Sequence, residues 1–466
     1  MSSRSALFLF VAACGGASMP SAEAPPSSTA SPPSTAPALR VRARVPEHLP
    51  STGVVTVVAL DAQALESNLI ADVSRFDELL QCIRVLGPRD VHAGHVEFEL
   101  AGTRPAALQV IYDPSGLGFD ALFGNGALAS GDARVPSDAA SLELVLHAGR
   151  PSGEEGCGRS PREELVVFEA PETRRRGDDG TRRLCVYLPP SYETNTERRY
   201  PVIFALPGYS GSHYSGDAFL ARAALDDVSE GQEAILVGVD TRMPEGPSYF
   251  ARSERYGDWR AYFGRVIDEV DARFRTLPRR GVIGHSTGGW NAVQAARIEP
   301  ERIHAVASSS PDALDFDTWW LADPQTVKPW LCTWARVEAA MGGRGQMVSY
   351  SANWSPRATG FAWPLDLQSC ALRPDVYAEW QAQSPAHALQ SDEGRAAFAR
   401  LSGRMIFTAG RNDEFGLFEP TASFVRALQD QGVEAEWRPT ELGHFGEASE
   451  RFGRLYAFLL EQLDAE

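Results

Sequence analysis

What this 466-residue sequence has little of narrows its function before any motif is read. Its first apolar run, Ala6-Leu7-Phe8-Leu9-Phe10-Val11-Ala12-Ala13, is too short to span a bilayer. Cysteine is scarce at 6 residues, with no Cys-x-x-Cys spacing, and the 9 histidines form no cluster at metal-ligand spacing, so no metal site is expected. Positive charge is in deficit. With 44 basic against 61 acidic residues the formal charge is −17, which repels phosphate backbones and anionic lipid surfaces and excludes nucleic acid as a partner.

The remainder is the composition of a folded protein, 43% hydrophobic and 23% charged, with 41 Gly and 32 Pro marking many turns. A chain of this length exceeds what one hydrophobic core usually organises, so two domains with tails are expected.

Arg4 followed by the short apolar run reads as a signal peptide over residues 1–13. The run closes on Val11-Ala12-Ala13-Cys14-Gly15, which resembles a bacterial lipobox and implies lipidation at Cys14. Residues 14–37 are rich in Ser, Pro, Ala and Thr, a composition that builds no core and behaves as an extended tether. The expectation is export, with the protein held at a membrane only through a lipid anchor at Cys14. Export would put Cys82, Cys157, Cys185, Cys332 and Cys370 in an oxidising compartment. Five is odd, so at least one stays free. Cys185, inside the strand-like Leu184-Cys185-Val186-Tyr187-Leu188, is expected as a small buried hydrophobe, and Cys332 with Cys370 is the preferred pair.

Residues 38–160 carry short β-branched or alternating runs at Leu39 to Val45, Val54 to Leu60, Val96 to Leu100, Ala107 to Tyr112 and Ser141 to Leu146, with a helical turn possible over Arg75 to Ile83. This pattern predicts a small all-β, sandwich-like accessory domain without a catalytic cluster. His92 and His95 read as solvated turn residues.

Residues 161–466 alternate strand-like with helix-like segments, which predicts a mostly parallel sheet with helices on both faces. Strands are expected at Arg183 to Leu188, Pro201 to Leu206, Ala234 to Val239, Gly281 to Gly284, His304 to Ser308, Arg404 to Ala409 and Val433 to Pro439. Chemistry in such a fold gathers just past the carboxyl ends of the strands.

Gly284-His285-Ser286-Thr287-Gly288 lies between an apolar strand and a helical stretch, the setting in which Gly-x-Ser-x-Gly forms a sharp turn that exposes its serine. A serine hydroxyl needs a base, and the base needs an orienting carboxylate, downstream in the order Ser, acid, His. Asp413 and His444 each follow an expected strand, and Glu414 and Asp312 compete with Asp413 for the acid's place. Oxyanion donors are expected from the backbone N–H groups of Thr287 and of Tyr209, the latter in the loop opened by Leu206-Pro207-Gly208-Tyr209.

These residues resemble the esterase D-like family, which includes feruloyl, acetylxylan and siderophore esterases and mycolyl-transfer enzymes. The resemblance rests on Val186-Tyr187-Leu188-Pro189-Pro190-Ser191-Tyr192, Tyr200 to Phe204, the Gly-His-Ser-x-Gly-Gly elbow, Gly410-Arg411-Asn412-Asp413 and Gly443-His444. It implies an α/β-hydrolase fold and ester hydrolysis through an acyl-Ser286 intermediate without a cofactor, on a small-molecule or carbohydrate ester. An acyltransferase would share every residue named, and an inactive surface binding protein is the reading from another class. The family commonly has His-Gly where this chain has Pro207-Gly208.

Between about 311 and 400 the regular alternation stops, and seven of the ten tryptophans fall there: Trp319, Trp320, Trp330, Trp334, Trp354, Trp363 and Trp380. Such rings either build the insertion's own core or overhang the serine as a platform for a sugar, aryl or acyl group.

Overall fold

The computed structural model describes residues 38–47, 51–62, 83–101, 105–113, 129–148, 157, 161–174, 180–209, 211–213, 232–243, 246–253, 256–340, 345–357, 360–444, 446 and 448–464. The expected signal peptide and tether, Cys14, Cys82 and nearly all of the possible helix over 75–83 lie outside these residues. The chain divides into two compact units, one running to Ser152 and the other from Gly153 apart from residues 340–344.

Among the described residues the first unit holds eight strands: β1 (Leu39–Arg44), β2 (Thr52–Leu60), β3 (Ile83–Asp90), β4 (His95–Leu100), β5 (Ala107–Asp113), β6 (Ala129–Arg134), β7 (Ser141–Val145) and β8 (His147–Ala148). They form sheets of order β4-β1-β7 and β3-β2-β5-β6-β8. Strict alternation in β1 buries Leu39, Val41 and Ala43 and leaves Arg40, Arg42 and Arg44 outside. Val41, Ala43, Val96 and Phe98 of one sheet and Val55, Val57, Val110 and Tyr112 of the other belong to one apolar cluster. That shared core makes the unit sandwich-like. Both β3 and β6 were absent from the expected strands. In β6, Ala-Ser-Gly-Asp-Ala-Arg lacks an apolar alternation and is a strand because it pairs with β5. His92 and His95 pair through their backbones across a turn.

The second unit is built on one eight-stranded sheet. In chain order its strands are β9 (Glu163–Glu169), β10 (Thr181–Tyr187), β11 (Tyr200–Leu206), β12 (Ile235–Val239), β13 (Thr276–His285), β14 (Ala305–Ser309), β15 (Met405–Thr408) and β16 (Glu436–Trp437). In space the order is β16-β15-β14-β13-β11-β12-β10-β9. All pairs from β12 to β16 are parallel, and β9 and β10 are antiparallel additions at one edge. Every residue of β11 and β12 is buried, as a parallel strand covered on both faces requires.

Its helices include α1 (Trp259–Arg273), α2 (Thr287–Ile298), α3 (Pro329–Ala340), α4 (Gln346–Trp354), α5 (Phe418–Asp430) and α6 (Ala448–Asp464). The pleat of β11 assigns them to faces. Ile203 and Ala205 join Phe452, Leu455, Tyr456 and Leu459 of α6 in one cluster, while Phe204 points the other way and meets Phe263 of α1 with ring centroids 5.6 Å apart. Each such fully buried side chain stabilises the fold by about 1.5–3 kcal/mol. The unit is an α/β-hydrolase fold, as expected.

Cys332 and Cys370 are joined, which matches the preferred pair. Cys185 is buried but is no lone hydrophobe: it is bonded to Cys157. That reading is corrected because β9, whose strand character was not anticipated, pairs with β10 opposite Cys185 and brings the preceding segment back to it.

Candidate active site

The registers of adjacent strands align the site. Leu206 of β11 stands opposite Gly284 of β13, His285 opposite Ser309 of β14, and Ser309 opposite Thr408 of β15. The loops carrying Tyr209, Ser286, Asp312 and Asp413 therefore leave the same end of the sheet from neighbouring strands, about 4.8 Å apart.

Ser286 sits between the end of β13 and the start of α2 with φ 57° and ψ −127°. For a non-glycine residue this conformation costs on the order of 1–3 kcal/mol and persists only where the surroundings impose it. They do so through contacts that no side chain could share. A Cβ at Gly284 would strike the Gly288 carbonyl, and one at Gly288 would strike the Leu206 carbonyl. The Ser286 amide donates to Ser309 O at 2.9 Å, and the Ser286 carbonyl accepts from Asp312 N and Trp290 N, both at 3.1 Å. The backbone is thus held between two strand-end loops. Thr287 opens α2, so its amide belongs to the unpaired first turn, where the helix dipole favours negative charge. Tyr209 lies half-buried three residues past the end of β11.

Asp413 and His444 are brought together. His444 Nδ1 lies 2.7 Å from Asp413 Oδ2, with both side chains sealed from solvent. Asp413 Oδ1 accepts from Phe415 N at 3.0 Å, which fixes the carboxylate plane. Glu414, weighed as a rival acid, does something else: its Oε2 accepts from the His444 backbone amide at 2.7 Å and so anchors the histidine loop. The loops are also pinned to each other by Arg411 N to Thr440 O at 2.8 Å and Asn412 N to Leu442 O at 3.2 Å.

Asp312, the other rival, is nowhere on the histidine. It is buried, and its Oδ1 accepts from Ser286 Oγ at 3.4 Å. Among the described residues, His444 Nε2 is buried and accepts no hydrogen bond from Ser286. Burial pushes the Asp312 carboxyl above its ordinary range, and hydrogen bonds from Thr287 and Tyr249 pull against that rise.

Two groups that sequence reasoning missed complete the surroundings. His285, the residue before the serine in the elbow, places its ring 4.4 Å from that of His444, and its Nδ1 lies 3.1 Å from Ser309 Oγ. Burial, with smaller contributions from His444 and Arg451, holds its pKa well below the usual imidazole value, so the ring is neutral. Arg451 of α6 is buried and donates through Nη1 to His444 O at 3.1 Å and to Ser309 Oγ and Ser310 Oγ at 3.3 Å. Neither has a local signal of this role: His285 enters only as part of the Gly-His-Ser-x-Gly-Gly elbow, and Arg451 lies on an ordinary helix.

The tryptophans of the insertion divide. Trp319, Trp320, Trp354 and Trp380 are buried and pack with Phe316, Tyr350, Tyr249 and Trp290, so these four are core. Trp319 also donates to Phe415 O at 2.9 Å, tying the insertion to the Asp413 loop. Trp330, Trp334 and Trp363 are half-buried.

The family model described as "Putative esterase" matches residues 179–358, a stretch that contains the elbow and the Tyr209 loop but stops short of Asp413 and His444. No curated protein matches. Solved structures similar to this chain include one described as a ferulic acid esterase, 15% identical over 65% of this chain and 99% of its own, with a TM-score of 0.44. An S-formylglutathione hydrolase from Agrobacterium tumefaciens is 15% identical over 65% of this chain and 95% of its own, with a TM-score of 0.42. Carboxyl esterase 2 from the mycorrhizal fungus Tuber melanosporum is 14% identical over 67% of this chain and 90% of its own, also at 0.42. At scores of this size the likeness says nothing of substrate. The strand order and the strained elbow give an α/β-hydrolase fold, and over residues 179–358 the chain is similar to this esterase family, a likeness that supports a carboxylic ester hydrolase.

Proposed function

We propose that the chain cleaves its ester through an acyl-Ser286 intermediate, with His444 as general base and acid and Asp413 holding the imidazole. The observation that carries this reading is the buried 2.7 Å contact of His444 Nδ1 with Asp413 Oδ2, on loops that leave the sheet beside the strained Ser286. A carboxylate on Nδ1 leaves Nε2 as the nitrogen that takes the proton and stabilises the imidazolium that forms. To react, the Ser286 hydroxyl turns about its Cα–Cβ bond from Asp312 toward Nε2. Attack on the ester carbon makes an oxyanion, for which the amides of Thr287 and Tyr209 are the proposed donors. Neither amide depends on a side chain, so Pro207 in place of a histidine leaves this role intact. His444 then returns the proton to the leaving alcohol, and water repeats the cycle to release the acid.

We also propose that residues 1–13 direct export, that Cys14 carries the lipid anchor and that 14–37 tether the folded units. The proposed substrate is a small-molecule or carbohydrate ester. Turnover of a short p-nitrophenyl ester and labelling by a fluorophosphonate probe test the mechanism. Both are expected to vanish in Ser286→Ala, whose melting temperature stays near that of the wild type. Turnover retained in that variant refutes the mechanism.

A further inference from the structure

Asp312 is unusual in how its two oxygens are filled. Oδ2 accepts from Thr287 Oγ1 at 2.7 Å, Tyr249 Oη at 2.8 Å and Gln346 Nε2 at 2.8 Å. Oδ1 accepts from the Ser286 hydroxyl at 3.4 Å. Tyr350, whose hydroxyl accepts from Gln346 Nε2 at 2.9 Å, also hydrogen-bonds the same carboxylate. Among the described residues no cation is paired with it. The saturated oxygen is locked by three elements: α2, the loop of Tyr249 and helix α4 of the insertion. The other is aimed at the nucleophile.

This asymmetry has a consequence once the serine is acylated. Ser286 Oγ is then an ester oxygen bonded to the acyl carbon, its proton having left with the alcohol by way of His444. Oδ1 loses that donor in a buried site, and the loss of a donor to a buried acceptor is destabilising. Ser286 Oγ, turned toward His444 Nε2, vacates the place beside Oδ1, and a substituent one or two bonds beyond the acyl carbon is the group that can fill it. Resting on the acyl-Ser286 reading above, we infer that Asp312 is a specificity-determining acceptor for a hydroxyl on carbon 2 or 3 of the acyl group. The substrate class is therefore hydroxyacyl esters. The three donors on Oδ2 keep the carboxylate from turning away.

The test compares p-nitrophenyl 3-hydroxybutyrate with p-nitrophenyl butyrate, each rate normalised to hydrolysis in buffer alone. The wild type is expected to favour the hydroxyacyl ester by about tenfold in kcat/KM, equivalent to about 1.4 kcal/mol. In Asp312→Asn the amide oxygen faces the three donors and its NH2 faces Ser286, turning an acceptor into a donor, so the preference falls to about one or inverts. Asp312→Ser, which draws back from Ser286, is the second variant should the first not fold, and it too loses the preference. A wild-type ratio near one, or a ratio that survives either substitution, overturns the inference while turnover and Ser286 labelling keep the acyl-serine reading standing. Absence of both turnover and labelling refutes that reading and this inference together.

Discussion

The loops after β14 and β15 are neighbours in the sheet and each delivers a buried aspartate, yet the two carboxylates have nothing in common beyond that. Asp413 holds one imidazole and one backbone amide, both within its own loop and the next. Asp312 holds the serine, a helix residue, a loop tyrosine and a glutamine from the insertion. Position past a strand end makes a residue available to the site. What it does there depends on which element folds over it: the histidine loop reaches Asp413, and the insertion reaches Asp312.

The largest expected effect tests this division directly. In the proposed mechanism Asp413→Asn lowers kcat on a p-nitrophenyl ester by roughly 10³- to 10⁴-fold through loss of the correct tautomer. A loss below tenfold would transfer the acid's role to Asp312. Next comes the insertion itself. Removing the Cys332–Cys370 bond, which closes 38 residues, by double replacement with Ala lowers stability by up to about 4 kcal/mol in urea unfolding. Because Gln346 reaches Asp312 from the insertion, the hydroxyacyl preference should weaken in this variant while fluorophosphonate labelling of Ser286 persists.

Smaller effects sharpen the other side of the comparison. Glu414→Ala removes a charged acceptor from the His444 amide and costs about 1.5–3 kcal/mol. It is expected as a fall in kcat at nearly constant KM, with recovery in Glu414→Gln, since an anchoring group acts on histidine placement. The smallest effect concerns His285, which lies against Ser309 Oγ and the His444 ring. Its folded-state pKa is depressed, so above the unfolded value near 6.5 both states are neutral and stability is unaffected. As pH falls below 6.5 the unfolded chain takes up a proton that the folded one refuses, and stability declines by at most about 1.4 kcal/mol per pH unit. Melting temperatures between pH 7 and 5 should fall less steeply in His285→Asn.

The legible features were those with local signatures. Uninterrupted apolar runs marked β11 and β12, strict alternation marked β1, and glycines two residues either side of a serine marked the elbow. Asp413 and His444 were legible because each follows a strand-like run, and the structure seats them 2.7 Å apart. The strands β3, β6 and β9 escaped notice, as did the partner of Cys185. Glu414 could be weighed only as a rival for the acid's place, since a carboxylate that accepts from a backbone amide leaves no pattern in its own vicinity. The same holds for Arg451, two of whose acceptors, Ser309 Oγ and Ser310 Oγ, lie 142 and 141 residues away in the chain.

By itself, then, the sequence determined the alternation of strand and helix, the likeness to an esterase family, the strand-to-helix turn at Ser286 and the pool of residues that could serve it. Those follow from periodicity and spacing, which act over a few residues. Only the tertiary structure decided that Asp413 meets the histidine, that Asp312 meets the serine and that Glu414 holds an amide. The reason lies in the sheet order, in which chain neighbours β10, β11 and β12 are rearranged and β14 and β15, 95 residues apart between Ser309 and Met405, lie side by side. Which donor fills which lone pair is settled by such contacts between distant segments, and the ester this enzyme prefers is expected to follow from them.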